Sequence, residues 1–320
     1  MAKPILHRLL SIPIVLACVM IVNFLLFHLS PGDPTNLYFN PNVSMERQEL
    51  LRQKMGLQQP WYQQLWTYTS RAVQGDLGYS WSKHRPVSHV LADAIPATLG
   101  LTLLALIINL VLGCSLGMVA GLYSRRWIGK LLSGTSLLLY SIPSFWLALV
   151  LIYIFSLKLG WLPASGLQSF ATNLGSFETI WDRLRHVILP ATVLGLVGAA
   201  ATFRFVYAKT RQLLDKEFML MARAKGLPTV SIVLKHALRN VLLPVITLIG
   251  LYFPFILGGA LIVEVIFAWP GMGRVTYEAV FAKDFPVIMA VNGIAALLVI
   301  LGNVLADVVY RVVDPRIEFE

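Results

Sequence analysis

The sequence predicts an all-helical integral membrane protein with six transmembrane helices and a long extracytoplasmic segment after the first of them. Three observations carry that expectation. Of 320 residues, 57% are hydrophobic and 13% are charged, whereas a soluble globular domain carries roughly 25% charged residues. Mean hydropathy is +0.71. The Lys and Arg residues lie between apolar runs and gather on alternate loops, the pattern that sets membrane orientation. The net charge of +10 therefore reads as topology control rather than as a nucleic-acid surface.

Charge-free stretches mark the spans: Leu9–Leu29, Ala94–Ser124, Leu131–Leu157, Val187–Phe203 (extended toward Tyr207), Asn240–Val263 and Phe285–Ala306. Each is near or above the ~17–25 residues a helix needs to cross the hydrocarbon core. The first is too long for a signal-peptide core and runs into Ser30-Pro31-Gly32-Asp33 with no small-residue cleavage site, so it is expected to stay. Pro143, Pro190, Pro244 and Pro254 fall within or beside these runs and predict kinks. Cys18 and Cys114 both sit in apolar runs, where a thiol behaves as a small hydrophobe.

Orientation follows from the short loops. Lys3 and Arg8 precede the first span, and Arg125, Arg126 and Lys130 join the second and third. Lys209, Arg211, Lys216, Arg223, Lys225, Lys235 and Arg239 crowd the loop after the fourth, and Arg311 and Arg316 follow the sixth. Six spans put all of these on one side, the cytoplasmic one, with both termini inside. Arg204, Lys209 and Arg211 are expected to anchor the inner interface.

The segment 31–93 is expected to fold outside the membrane. Glu46–Met55, stopped by Gly56, reads as a short helix, and Trp61, Tyr62, Trp66 and Tyr68 suit the membrane interface.

Several chemistries are missing. The phosphate loop G-x-x-x-x-G-K-[ST] does not occur, nor do H-E-x-x-H, C-x-x-C or G-x-S-x-G. The six histidines are scattered without an i, i+4 pair, so no metal site and no catalytic centre is expected on this chain. Coupling ions in secondary transporters are held by ionisable groups at mid-membrane. Here Glu264, Asp307 and Arg204 lie toward span ends, and only the amide Asn109 is central. An external motor is the better reading; a secondary transporter or channel without an ATPase is the alternative.

The stretch from Asp215 to Pro228 is the most informative. Phe218, Leu220 and Met221 with Ala222 and Ala224 form a short amphipathic helix that stops at Gly226, with Pro228 beyond. Small residues at 222, 224 and 226 let another backbone approach, while Arg223 and Lys225 face water. An interfacial helix on anionic lipid would use the same residues.

Ala222-Arg-Ala-Lys-Gly226, followed by His236-Ala-Leu-Arg-Asn240 and Leu243-Pro244, resembles the coupling loop of ABC importer permeases, and more narrowly of the dipeptide, oligopeptide and nickel group. Other matching stretches follow in order along the chain: Ser30-Pro-Gly-Asp-Pro34, Gly75-Asp-Leu-Gly-Tyr-Ser80, Pro96-Ala-Thr-Leu99, Ser141-Ile-Pro-Ser-Phe-Trp146, Gly160-Trp-Leu-Pro163, Leu189-Pro190, Phe267-Ala-Trp-Pro-Gly-Met-Gly273, Asp284-Phe-Pro-Val287 and Asp314-Pro-Arg316. The general importer signature has Glu-Ala-Ala, three residues, then Gly; here Leu220 and Met221 replace its Glu and first Ala.

The resemblance implies a type I ABC importer permease, one of two permease subunits in a binding-protein-dependent system of the bacterial inner membrane. Its expected partners are a second, related permease, two cytoplasmic ATPase subunits and an extracytoplasmic solute-binding protein. No cofactor is expected on this chain; ATP and magnesium would sit on the ATPases. The implied layout is a tail and first helix over 1–30, an extracytoplasmic segment over 31–93, a five-helix core over 94–310 with its coupling loop at 208–240, and a cytoplasmic tail over 311–320. The ATPase-coupling residues would be Glu217, Leu220, Met221, Ala222, Arg223, Ala224, Lys225 and Gly226, with His236 and Asn240 beyond. For the pathway or outer gate the candidates are Asn109, Trp146, Gly258, Gly259 and Glu264. Each has a plain structural reading too: Asn109 bonding across helices, Trp146 packing, Glu264 held at headgroup level. The solute implied is a peptide, or nickel or another metal chelate.

Overall fold

The computed structural model describes residues 2–29, 49, 53, 58–169, 176–214, 216–226 and 260–313. Among them the chain is almost wholly helical. In order come α1 (Ala2–Leu29), α2 (Trp61–Val73), β1 (Tyr79–Ser80), β2 (Arg85–Pro86), α3 (Val87–Leu122), α4 (Trp127–Ser141) and α5 (Ser144–Leu151). A π-helical turn (Ile152–Lys158) continues α5, followed by α6 (Ser176–Leu214), α7 (Glu217–Ala224), α8 (Leu261–Ile266), α9 (Met272–Phe281) and α10 (Phe285–Val313).

Four of these helices, α1, α3, α6 and α10, are long and apolar enough to cross a membrane. The third predicted span is not one straight helix: α4 meets α5 with its π turn at a bend of 104°. Pro143 is the cause, since it has no amide to continue the α4 ladder and its carbonyl instead starts α5 by accepting from Leu147 N at 3.1 Å. The fifth predicted span lies outside the described residues apart from residues 260–263, as do Pro244, Pro254 and most of the predicted helix over Glu46–Met55.

The chain divides into two compact units. One comprises residues 1–97 and 270–301. Here α1 packs on α10: Met20, Phe24, Phe285 and Met289 are buried together, and Asn292 Nδ2 donates to Asn23 Oδ1 at 2.6 Å. That amide pair satisfies polar groups that lipid would leave unpaired. The short β1–β2 hairpin is antiparallel, with Ser80 opposite Arg85, and α9 adds Met272 and Ala279 to a core formed with Val87, Leu91, Val287 and Val291. On α2, Trp61, Tyr62 and Trp66 are exposed, but Tyr68 turns inward against Phe285. Burial, with the charge of Asp76 adding to it, pushes the Tyr68 phenol well above its usual value.

The other unit comprises residues 98–269 and 302–320. Its spine is α6, 39 residues long, or about 58 Å at 1.5 Å per residue. Along it, α3 contributes Ile108 beside Gly195, Asn109 beside Gly198, Gly113 beside Thr202, Gly117 beside Val206 and Gly121 beside Thr210. Residue numbers rise together on both helices, so α3 and α6 run parallel. The bent pair runs the other way, with Ser136 bonded to the Ala200 carbonyl at 3.2 Å and Leu147 and Ala148 clustered with Leu189 and Val193.

Candidate functional site

A short helix is present where the sequence predicts one, over Glu217–Ala224. Two turns joined to the end of α6 form α7: Lys216 N donates to Leu213 O at 3.1 Å and Met219 N to Lys216 O at 3.0 Å. Met219 is fully buried and pins α7 to the body of this unit. Gly226 follows at φ +70°, a left-handed position that stops the helix and that glycine occupies without strain. A side chain added to Gly226 would meet nothing within 4 Å. Met221 is 61% exposed, and Glu217, Ala224, Lys225 and Gly226 are exposed beside it. Leu220, Ala222 and Arg223 lie in α7 by their backbone, with side chains outside the described set; His236 and Asn240 lie outside the described residues.

Behind α7 stands the α3–α6 seam, built by glycines four apart. A Cβ at Gly113 would lie 2.7 Å from Thr202 Cβ, one at Gly117 2.8 Å from the Phe203 carbonyl oxygen, and one at Gly121 2.7 Å from Thr210 Cβ. No real Cβ fits there, so the two backbones touch as small-xxx-small motifs allow. The same holds in reverse where Gly195 admits Ile108 and Gly198 admits Asn109. Asn109 is buried in this seam, where Thr202 Oγ1 donates to its Oδ1 at 2.7 Å.

Of the other pathway candidates, Trp146 is on α5, half of it exposed, and Gly258 and Gly259 lie outside the described residues. Glu264 sits on α8, fully buried, with Thr98 Oγ1 donating to its Oε1 at 2.8 Å and Trp269 N to its backbone oxygen at 2.8 Å. Ala268, at φ +48°, makes the sharp turn that returns Trp269 to Glu264 and lets Phe267 O accept from Gly166 N at 2.8 Å.

Residues missed by the sequence reading include the donors for buried acids. Thr98 is one. In the first unit Asp284 is fully buried and its Oδ2 accepts from Ser80 Oγ at 2.6 Å, Ser82 N at 2.9 Å and Ser82 Oγ at 2.7 Å. Ser80 closes one of the matching stretches and Asp284 opens another, and this is the available signal: an acid beside an apolar run needs donors, and hydroxyl residues in the other stretches are the nearest supply. On the surface of that unit Lys83 and Arg274 both pair with Glu278. Burial alone would raise the Glu278 carboxyl, but these two cations outweigh it and hold it below the usual carboxylate range.

Residues 113–319 match the family described as binding-protein-dependent transport system inner membrane component, and residues 1–102 match the N-terminal component of the same membrane proteins. The chain belongs to this family. It is the permease subunit of an ABC importer, a translocation subunit rather than an enzyme, in a system that implies ATPase and solute-binding partners. The permease is 39% identical over 321 residues, covering all of both chains, to the oligopeptide transport system permease protein AppB of Bacillus subtilis (strain 168). It is 38% identical over 320 residues, again covering all of both, to the glutathione transport system permease protein GsiC of Escherichia coli (strain K12). Among solved structures, an inward-facing form of the MetNI methionine ABC transporter aligns with a TM-score of 0.52 at 19% identity, covering 71% of this chain and 97% of that one. That likeness concerns the fold.

Proposed function

We propose that this permease forms half of a two-permease pathway for peptide-like solutes, pairs with a related but different permease, and takes its drive from ATPases seated on α7. The observation that carries the reading is that α7 is anchored at the end of the spine by buried Met219, yet presents Met221, Ala224, Lys225 and Gly226 to the outside. A load on α7 passes to α6, and through the glycine seam to α3, because close-packed backbones move as one body. ATP and magnesium belong on the partner ATPases. The peptide class is supported by two relatives matched over their whole length, one an oligopeptide and the other a glutathione permease; a nickel or metal-chelate solute has no such support.

Topology completes the proposal: six spans, both termini cytoplasmic, residues 31–93 outside, a core over 94–310, the loop 208–240 facing the ATPases and a tail over 311–320. Parallel α3 and α6 support it, since an even-numbered pair crosses in the same direction and the bent α4–α5 pair then makes the return crossing. Pathway roles for Trp146, Gly258, Gly259 and Glu264 are part of the proposal, while Asn109 acts by locking the seam.

Tagged permease purified in mild detergent should bring down a second permease and an ATPase, with ATP hydrolysis and uptake lost in Gly226→Arg. A chain that purifies alone and transports without ATP would overturn the reading.

A further inference from the structure

The face of α6 turned away from the seam carries charge. Thr202, Val206, Thr210 and Leu213 form the buried stripe; at 100° per residue, Arg204, Ala208 and Arg211 fall on the opposite side, and all three are exposed. The seam register fixes the depth of Arg204. Thr210 is level with Gly121, one residue before α3 ends at Leu122. Arg204 lies six residues further into the span, about 9 Å.

Its direction matters more. Helical side chains lean toward the helix N-terminus, and in the orientation proposed above the α6 N-terminus is outside. Arg204 therefore reaches toward the middle of the membrane, where its Cζ lies 5.0 Å from the ring centroid of Tyr140. Tyr140 is on antiparallel α4, so its ring leans inward to meet the guanidinium, and it remains about half exposed. An arginine that anchored the inner interface, as the sequence suggested, would snorkel the other way.

Among the described residues no carboxylate pairs with Arg204. A guanidinium is never neutral in a protein, and an exposed one at this depth is strongly disfavoured against hydrocarbon. It faces water or a charged ligand instead. Two turns closer to the cytoplasm the motif repeats, with Arg211 over Tyr207 at 5.9 Å.

We propose that Arg204, held over Tyr140, is a station on the pathway wall for the carboxylate of the passing solute, with Arg211 over Tyr207 as the next station toward the cytoplasm. The chemistry fits: a planar guanidinium offers two parallel donors to a carboxylate, and an aromatic ring beneath it fixes the plane without neutralising the charge. Peptides carry such a carboxylate at their C-terminus. The proposal rests on the importer reading and adds to it the group of the solute that the wall recognises.

The test uses the assembled transporter with Cys18 and Cys114 replaced by serine, so that Tyr140→Cys is the reporter thiol. Two water-soluble methanethiosulfonates serve as probes, one bearing a sulfonate and one a trimethylammonium, with rates normalised to a free thiol. If Arg204 faces the aqueous path, the anionic reagent reacts about tenfold faster, as a focused positive field dictates. That preference should vanish in Arg204→Gln and persist in Arg204→Lys, while both variants still co-purify with the ATPase. A thiol that reacts with neither reagent, because lipid or a partner's carboxylate covers the site, overturns the proposal. So does reaction without charge preference. Failure of the importer reading would show separately, as a permease that purifies without an ATPase.

Discussion

Glycines do different work at the two ends of the α6–α7 arm. In the α3–α6 seam, Gly113, Gly117 and Gly121 are required by what stands opposite them, at 2.7–2.8 Å from where a Cβ would be. At the tip, Gly226 is required by its own backbone, at φ +70°, and has open space around it. The seam is finished within the chain. The tip is a shaped, exposed surface, and it is the place where we propose that the ATPase seats.

The largest effect is expected from closing the gap in the seam. Gly117→Leu drives its side chain into the Phe203 carbonyl and should cost about 1–3 kcal/mol or more by overpacking. It should lower the melting temperature in detergent and abolish uptake together. Gly134→Leu is the control, with nothing within 4 Å of its Cβ, and equal losses in both would break the comparison.

At the tip, fold and function should separate. Gly226→Arg should lose the ATPase and all uptake at a stability cost of only about 1–2 kcal/mol for a side chain in the left-handed region. Gly226→Asn, which tolerates that region, should keep most of the ATPase in a pull-down. If both variants unfold alike, the tip is merely structural.

Removing the Thr98 donor from buried Glu264 is expected to come next. Thr98→Val should cost about 1–3 kcal/mol, read as a shift in melting temperature, with ATPase co-purification unchanged.

The smallest effect is at the surface. Glu278 titrates below its usual range, so its pairs with Lys83 and Arg274 stabilise the fold above the ordinary carboxylate pKa and stop doing so as pH falls through the lowered value. The stability difference between wild type and Glu278→Gln should therefore be below about 1 kcal/mol at pH 7 and shrink on acidification.

Much of this was legible in the residues. Charge-free runs located α1, α3, α6 and α10, and the glycine at 226 located the end of α7. Pro143 announced a kink but not its size, because a bend of 104° depends on what receives α5, here Leu189 and Val193. The reach of α6 to Leu214, beyond the Phe203 and Tyr207 expected, escaped because α helix does not stop where hydrophobicity does. The seam was hidden for another reason: Gly113, Gly117 and Gly121 show as a four-residue repeat, but their partners lie some ninety residues away. The stacking of Arg204 on Tyr140 was not legible either, because the two lie sixty-four residues apart and only the packing of α4 on α6 brings them together.

The most direct test of the account is a photo-cross-linkable phenylalanine at Met221 in the assembled complex. The account predicts a cross-link to the ATPase subunit whose yield changes when ATP is added. Cross-linking to lipid alone, in a complex that still transports, would contradict it.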